Sequence, residues 1–378
     1  MEYALDLSKP VSLYIHIPFC TTKCGYCAFY SVPAKATCNE EKERFYELLL
    51  AQLNSLVDYI KKPFYTIFIG GGNPALLGFD RLKNLIITAT KYGQCKECTV
   101  EINPEHVNKN MEILFPLVNR VSVGLQSFST SALKVLERNA TRETNLNALK
   151  LLSSFRERYG ITFNGDLITC IPSHGLEGTL SDIETLSSFS PDHISLYALT
   201  FEEGTKLVQN TKPLDDEEQE VILKAAWEKL KSLGYEQYEV SNFAKDGHYS
   251  LHNQVYWDLG QYIGLGPSAE SSVGYSHLIS SREAETLTQY LKDQSFHSVA
   301  LNDSEAMEEY LLAKLRTKKG INKEEFNKRF NESFDERFSP FITSLNPSYY
   351  INNNTSFSIT EEGFMLLDSI ILSLAMAI

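Results

Sequence analysis

The run Leu13-Tyr14-Ile15-His16-Ile17-Pro18-Phe19-Cys20-Thr21-Thr22-Lys23-Cys24-Gly25-Tyr26-Cys27 decides how the rest of this chain is read. Its first part is rich in branched and aromatic residues and reads as a β-strand, Ser12–Pro18, ended by the proline. Its second part sets three cysteines at the spacing CxxxCxxC. Soft thiolates on a tight loop suit an iron–sulfur cluster or zinc. Three close cysteines leave one iron of a four-iron cluster without a protein ligand, free to bind a substrate. Zinc wants a fourth ligand, and His16 lies four residues upstream of Cys20. Against zinc, His16 belongs to the strand pattern and points elsewhere. Structural cysteines are the remaining reading.

Working outward, short β-type runs alternate with helical stretches through the first two hundred residues. The strands are expected at Ser12–Pro18, Thr66–Gly70, Cys98–Asn103, Arg120–Gln126, Phe163–Thr169 and His193–Leu199. Polar-faced helical segments fall at Glu41–Ile60, Phe79–Tyr92, Thr144–Arg158 and Leu176–Phe189. Six βα units predict an α/β fold with a parallel sheet and helices outside it. In such folds the site lies at the carboxyl ends of the strands. There the sequence places the cysteine loop, Gly70-Gly71-Gly72-Asn73-Pro74, Glu101 with Asn103, and Gln126, while the fifth strand carries Asp166. These groups are expected to meet at one mouth.

From about Phe201 to Ala300 the βα rhythm fades into a Tyr-, Gly- and Ser-rich segment, opened by a charged helix over Asp215–Leu233. Beyond Asn302, short amphipathic helices and a strand at Ser356–Thr360 predict a smaller C-terminal helical or winged-helix-like domain. The organisation read from this is a core over residues 1–205, an extension over 206–300 and the C-terminal domain over 301–378.

The chain has 378 residues, 43% of them hydrophobic and 22% charged, with a net charge of −13. That is the composition of a globular protein of about two domains. The acidic balance disfavours broad nucleic-acid binding. The N-terminus has neither the basic nor the apolar region of a secretory leader. Phe364–Ile378 is too short to span a bilayer and reads as the last core helix, with weak membrane contact of an amphipathic end as the alternative. Seven cysteines in such a chain point to reduced thiols, metal ligands or plain core filling rather than disulfides, and to a cytoplasmic location.

The cysteine spacing, with an aromatic residue before the third cysteine, resembles the radical S-adenosylmethionine (SAM) superfamily. The stretch Leu13–Cys20 is similar to the branch that holds oxygen-independent coproporphyrinogen III oxidase and the HemW-like heme chaperones. The likeness continues through Gly70–Leu77, Glu101–Pro104, Val121–Phe128, Asp166–Pro172 and Tyr238–Ala269. It implies a partial (β/α)6 TIM-like radical SAM barrel with a [4Fe-4S] cluster on Cys20, Cys24 and Cys27. It further implies SAM contacts from Tyr14, from the backbone of Gly71, Gly72 and Asn73, and from Glu101, Gln126, Arg138 and Asp166. SAM chelates the open iron in this family and yields a 5′-deoxyadenosyl radical on one-electron reduction. An electron donor such as flavodoxin or ferredoxin is implied with it. Read without that family, the glycines are a strand-end turn, Glu101 and Asp166 are caps or ion pairs, and Arg138 is a helix-surface charge. Asn73, Cys170 and Glu270 stand where the family usually has Thr, Gly and His.

Within the branch, the oxidase carries a fourth cysteine two residues after the third, where this chain has Phe29. It also carries an N-terminal extension, and here eleven residues precede the first strand. His252-Asn253-Gln254-Val255-Tyr256-Trp257 matches the HNxxYW motif that the chaperones associate with heme. The resemblance therefore implies a heme chaperone, with His252 on the heme iron, heme as cargo and heme-accepting proteins as partners. The alternatives are the oxidase and, disfavoured by charge, a radical SAM RNA-modifying enzyme. Without the family, His252 reads as a hydrogen-bonded core histidine. Cys95-Lys96-Glu97-Cys98 has redox or zinc spacing without a second cluster, and Cys38 and Cys170 read as packing.

Overall fold

A computed structural model describes residues 5–273, 279–282, 284–295 and 297–378. The first four residues of the polar N-terminus, and five consecutive positions of the 206–300 extension, lie outside them. Six parallel strands form the centre: β1 (Val11–Ile17), β2 (Thr66–Gly71), β3 (Glu97–Ile102), β4 (Arg120–Gln126), β5 (Thr162–Thr169) and β6 (His193–Ala198). All six lie within a residue or two of their expected positions, in the order β1-β2-β3-β4-β5-β6. A seventh parallel strand, β7 (Gln261–Leu265), pairs with the free edge of β1, with Tyr14 opposite Gly264. It falls where the sequence rhythm fades. Antiparallel strands continue both edges, Asn242–Ala244 beside β6 and Glu270–Val273 beside β7, so the barrel stays open.

Helices α1 (Asn39–Ile60), α2 (Phe79–Ala89), α3 (Arg142–Tyr159) and α4 (Gly175–Ser187) cover the outside. The third connection differs from a βα unit: β3 reaches β4 through 3-10 turns at Pro104–His106 and Lys109–Leu114. Helix α1 shows why these segments form. Phe45, Leu49, Leu53, Leu56 and Ile60 recur on one face and are buried. Its first turn is closed by a capping box in which the Cys38 sulfur accepts from the Glu41 N–H at 3.4 Å and Glu41 accepts from the Cys38 N–H at 2.9 Å. Cys38 is exposed there, so its role is a cap rather than core packing.

The strands alternate strictly between two environments. Leu13, Ile15, Ile67, Ile69, Val100, Val121, Val123 and Ile194 face the helices in one continuous apolar core. The opposite faces line the lumen with Tyr14, His16, Glu101, Ser122, Asn164 and Asp166. Burial on both sides is thus combined with a polar inner wall.

Helix α5 (Asp216–Ser232) packs on α4, and α6 (Leu251–Trp257) leads into β7. Beyond them, helices Asp303–Leu315, Lys323–Phe330 and Phe334–Ile342 pack with a three-stranded antiparallel sheet, in the winged-helix-like pattern expected. Phe326, Phe334, Phe338 and Phe357 form its aromatic centre. Strand Ser356–Ile359 is followed by two short helices, Glu361–Phe364 and Leu367–Ala375. The hydrophobic cluster runs unbroken from the barrel into this region. Among the described residues no helix is long and apolar enough to cross a membrane.

Candidate functional site

The cysteine loop leaves β1 at the carboxyl end of the sheet. It is anchored by the short parallel pair Phe19–Cys20 with Val32–Pro33. The Gly25 N–H donates to the Leu136 carbonyl at 3.1 Å, and the Gly25 carbonyl accepts from Leu207 N–H at 2.9 Å. Between these anchors Cys20, Cys24 and Cys27 are free and partly exposed. Burial pushes the Cys20 thiol up to about 11 and raises Cys27 as well. Cys20 and Cys27 stay protonated until a metal displaces the proton.

Among the described residues no three His, Cys, Asp or Glu side chains converge closely enough for a single ion. His16 is no candidate zinc ligand: its Nε2–H donates to the Tyr30 carbonyl at 3.0 Å, and its Nδ1 accepts from the Tyr14 hydroxyl at 2.9 Å. Burial drives the ring neutral, down to about 4. His16 therefore fixes the Tyr14 ring in the lumen, a positioning role the motif reading did not include.

The glycine turn after β2 is forced by proximity. A Cβ on Gly71 would lie 2.6 Å from the His16 ring, and φ there is +106°. One on Gly72 would lie 2.5 Å from the Phe19 carbonyl oxygen. The Gly72 N–H donates to the Ile17 carbonyl at 2.8 Å and the Asn73 N–H to the Phe19 carbonyl at 2.7 Å, so this turn holds the cysteine loop directly. With those donors engaged, the turn can offer an amino group only carbonyl oxygens. The Asn73 side chain turns away and meets His106 Nδ1 at 2.9 Å.

Glu101 projects from β3 into the same space, where its Oε2 accepts from Gly71 N–H at 3.4 Å. Burial, then repulsion from Asp166, raises its carboxyl to about 7. Gln126 sits at φ +68° after a register shift in the β4–β5 pairing, a bulge that re-aims the strand end. Arg138 lies in the loop before α3, not on a helix. Its Nη1 donates to the Cys24 sulfur at 3.3 Å, and its Nη2 donates to the Gly124 carbonyl at 2.6 Å and Asn103 Oδ1 at 3.0 Å. Its Nε is buried without a partner. Asp166 lies deeper, accepting from Asn164 Nδ2 at 2.6 Å and Ser122 at 3.3 Å. The structure thus brings the cysteines, glycine turn, Glu101, Gln126 and Arg138 to one mouth, with Tyr14 and Asp166 below. An orphaned donor beside three thiols, and a turn with no room for Cβ atoms, fit an anionic cluster and a polar ligand on it.

His252 is placed elsewhere. Helix α6 plugs the amino-terminal end of the barrel, so the motif belongs to the core rather than lying outside it. The Glu97 carboxylate caps α6, accepting from Leu251 N–H at 2.9 Å and His252 N–H at 3.0 Å. The His252 ring is 0% exposed and stacks on Phe68 at 5.3 Å. Thr66 donates its hydroxyl proton to Ser12, so His252 Nδ1–H donates to Thr66 Oγ1 at 2.7 Å. Nε2 then accepts from the Tyr256 hydroxyl at 2.8 Å. Both ring nitrogens are therefore hydrogen-bonded within the protein.

A Radical SAM superfamily model matches residues 14–185, and a HemN C-terminal domain model matches residues 301–366. Heme chaperone HemW of Buchnera aphidicola is 31% identical over 376 residues, covering 96% of this chain and 97% of that protein. Heme chaperone HemW of Escherichia coli is 36% identical over 70% of this chain and 71% of its own length. Among solved structures, coproporphyrinogen III oxidase (HemN) of Escherichia coli superposes with a TM-score of 0.81 at 18% identity, covering 98% of this chain and 91% of that one. That last likeness shows the shared fold.

Proposed function

The chain belongs to the HemW family of the radical SAM superfamily, and from that premise we propose that it is a heme chaperone, binding heme and passing it to heme-accepting proteins. The observation that carries this reading is the near-complete span of the HemW similarity, from the barrel through the motif helix into the C-terminal region. Phe29, 74% exposed on the cysteine loop, supports it, because the oxidase has its further cysteine there.

In this reading Cys20, Cys24 and Cys27 hold the [4Fe-4S] cluster and Arg138 offsets its negative charge. Tyr14, Gly71, Gly72, Asn73, Glu101, Gln126, Arg138 and Asp166 surround SAM. Bound together, cluster and SAM supply one-electron radical chemistry. Glu101, with its carboxyl near neutrality, can donate as well as accept a hydrogen bond. An electron donor of flavodoxin or ferredoxin type meets the loop at Lys23, Ala28 and Phe29. Heme contacts the motif helix, and His252 reaches its iron once Tyr256 has released Nε2. Seven free cysteines support a cytoplasmic location. Weak membrane contact belongs at the exposed Leu372 on the last helix and Met376 just beyond it.

The test is a paired experiment on one anaerobic preparation. Heme titration should saturate near one heme per chain with a shifted Soret band. The reduced protein with SAM should leave coproporphyrinogen III unconverted. Robust decarboxylation would overturn the chaperone reading in favour of the oxidase.

A further inference from the structure

We propose that the lower barrel lumen, between the SAM position and the α6 plug, binds a carboxylate group, with the Arg120 guanidinium as its cation and the Thr99 hydroxyl as a second donor. The ligand class is a small carboxylate-bearing molecule reaching down from the mouth.

Arg120 opens β4, and the alternation that sends Val121 and Val123 into the helical core sends Arg120 and Ser122 into the lumen. The residue is 6% exposed and makes no hydrogen bond or ion pair with any described residue. None of its guanidinium nitrogens is among the buried polar atoms that lack a partner, so the charge faces the open lumen, where an anion can reach it. Of the nearby carboxylates, Asp166 feels the Arg120 charge but forms no ion pair with it. Asp166 is held by Asn164 and Ser122. Glu97 caps α6 with both oxygens.

Thr99 is the register partner of Arg120 on the neighbouring strand, and therefore shares its face. It is 0% exposed, and its hydroxyl has no hydrogen-bond partner. Two unanswered donors thus stand side by side. The surrounding histidines are neutral and engaged: His193 Nδ1–H donates to Asn164 Oδ1 at 2.6 Å, and its Nε2 accepts from the Tyr238 hydroxyl at 2.8 Å. The field of Arg120 acts on Asp166, His193, Tyr238 and His252, groups of four different segments, which locates its charge centrally among them.

That surrounding selects the ligand. A cation is repelled. A phosphate dianion calls for more than one guanidinium and one hydroxyl. A carboxylate matches a planar guanidinium fork with one further donor.

The inference concerns the same lumen as the proposed SAM site but is tested without heme or turnover. Formate is the probe, formamide its neutral counterpart, and chloride at equal ionic strength the salt control. On the full-length protein, reconstituted and with SAM added, formate should raise the melting temperature and shift the ring 15N resonances of His193. Formamide and chloride should do neither. Arg120→Gln should weaken formate binding more than tenfold, and Thr99→Val several-fold with the fold intact. Formate binding unchanged in the two variants would overturn the site, as would its absence from the wild-type protein. Loss of heme binding alone would overturn the chaperone reading and leave this one in place.

Discussion

The two ends of one set of strands treat their polar groups differently. At the mouth, three thiols are free, the Arg138 Nε has no partner and Glu101 makes one long contact to Gly71 N–H. At the amino-terminal end the α6 plug is satisfied, Glu97 using both oxygens and His252 both nitrogens, while Thr99 above it stays unpaired. Yet the amino-terminal end carries His252, the residue that the family resemblance associates with heme. Burying an unsatisfied group costs about 1–3 kcal/mol, so a fold that leaves several together has another use for them. The satisfied groups of the plug do structural work first. Whatever else His252 does must begin by breaking that arrangement.

The mouth should break completely under a change that the floor would tolerate. Gly72→Val places a side chain where the Phe19 carbonyl stands, displacing the strand that carries Cys20. Anaerobic reconstitution should then yield almost no iron–sulfur absorbance near ~400 nm, while far-UV dichroism is retained. Iron and sulfide persisting near about four per chain would show that the turn does not position the cluster loop.

A second comparison is electrostatic. Glu101 carries a carboxyl near 7 in the folded chain against 4.5 as a free side chain, because it is buried and faces Asp166. The folded state holds this proton more tightly than the unfolded one. The group's stabilising contribution is thus complete below about pH 4.5 and is lost as pH rises through about 7. Glu101→Gln mimics the protonated form at every pH. The variant should match the wild type near pH 4.5 and exceed it by up to about 3 kcal/mol above pH 7 in denaturant unfolding. A gap that does not widen with pH would mean Glu101 is solvated.

How much of this could be read beforehand follows from what each feature depends on. The six strands and their mouth were legible because strand-end Gly, Glu and Gln recur at regular intervals between apolar runs. Strand β7 was not, since five residues in a Tyr- and Gly-rich segment carry no periodic signal and pair only by way of β1. The helix assigned to Arg138 is a loop, because α3 starts only after Thr141, whose side chain caps it. The lumen position of Arg120 and Thr99 is hidden although Arg-Val-Ser-Val-Gly-Leu-Gln alternates plainly, because alternation alone does not say which face is the lumen. His252 could not be placed, since its partners Thr66 and Phe68 lie far away in sequence.

The finest test separates the structural and ligand roles of that histidine. His252→Ala removes a stacked ring with two hydrogen bonds and should cost about 2–4 kcal/mol, so any loss of heme binding in it is confounded with damage to the plug. Tyr256→Phe is gentler: it deletes the hydroxyl that donates to Nε2 and keeps the ring packed edge-on against Tyr262 at 4.6 Å. Stability should fall by about 1 kcal/mol. If Nε2 is the atom that reaches iron, the competing donor is gone and heme affinity should rise by about fivefold, the same energy expressed as binding. Heme titration of the variant, read at the Soret band, decides it. A fall in affinity in a protein that keeps its cluster would assign Tyr256 to the heme contact and leave His252 as a core residue.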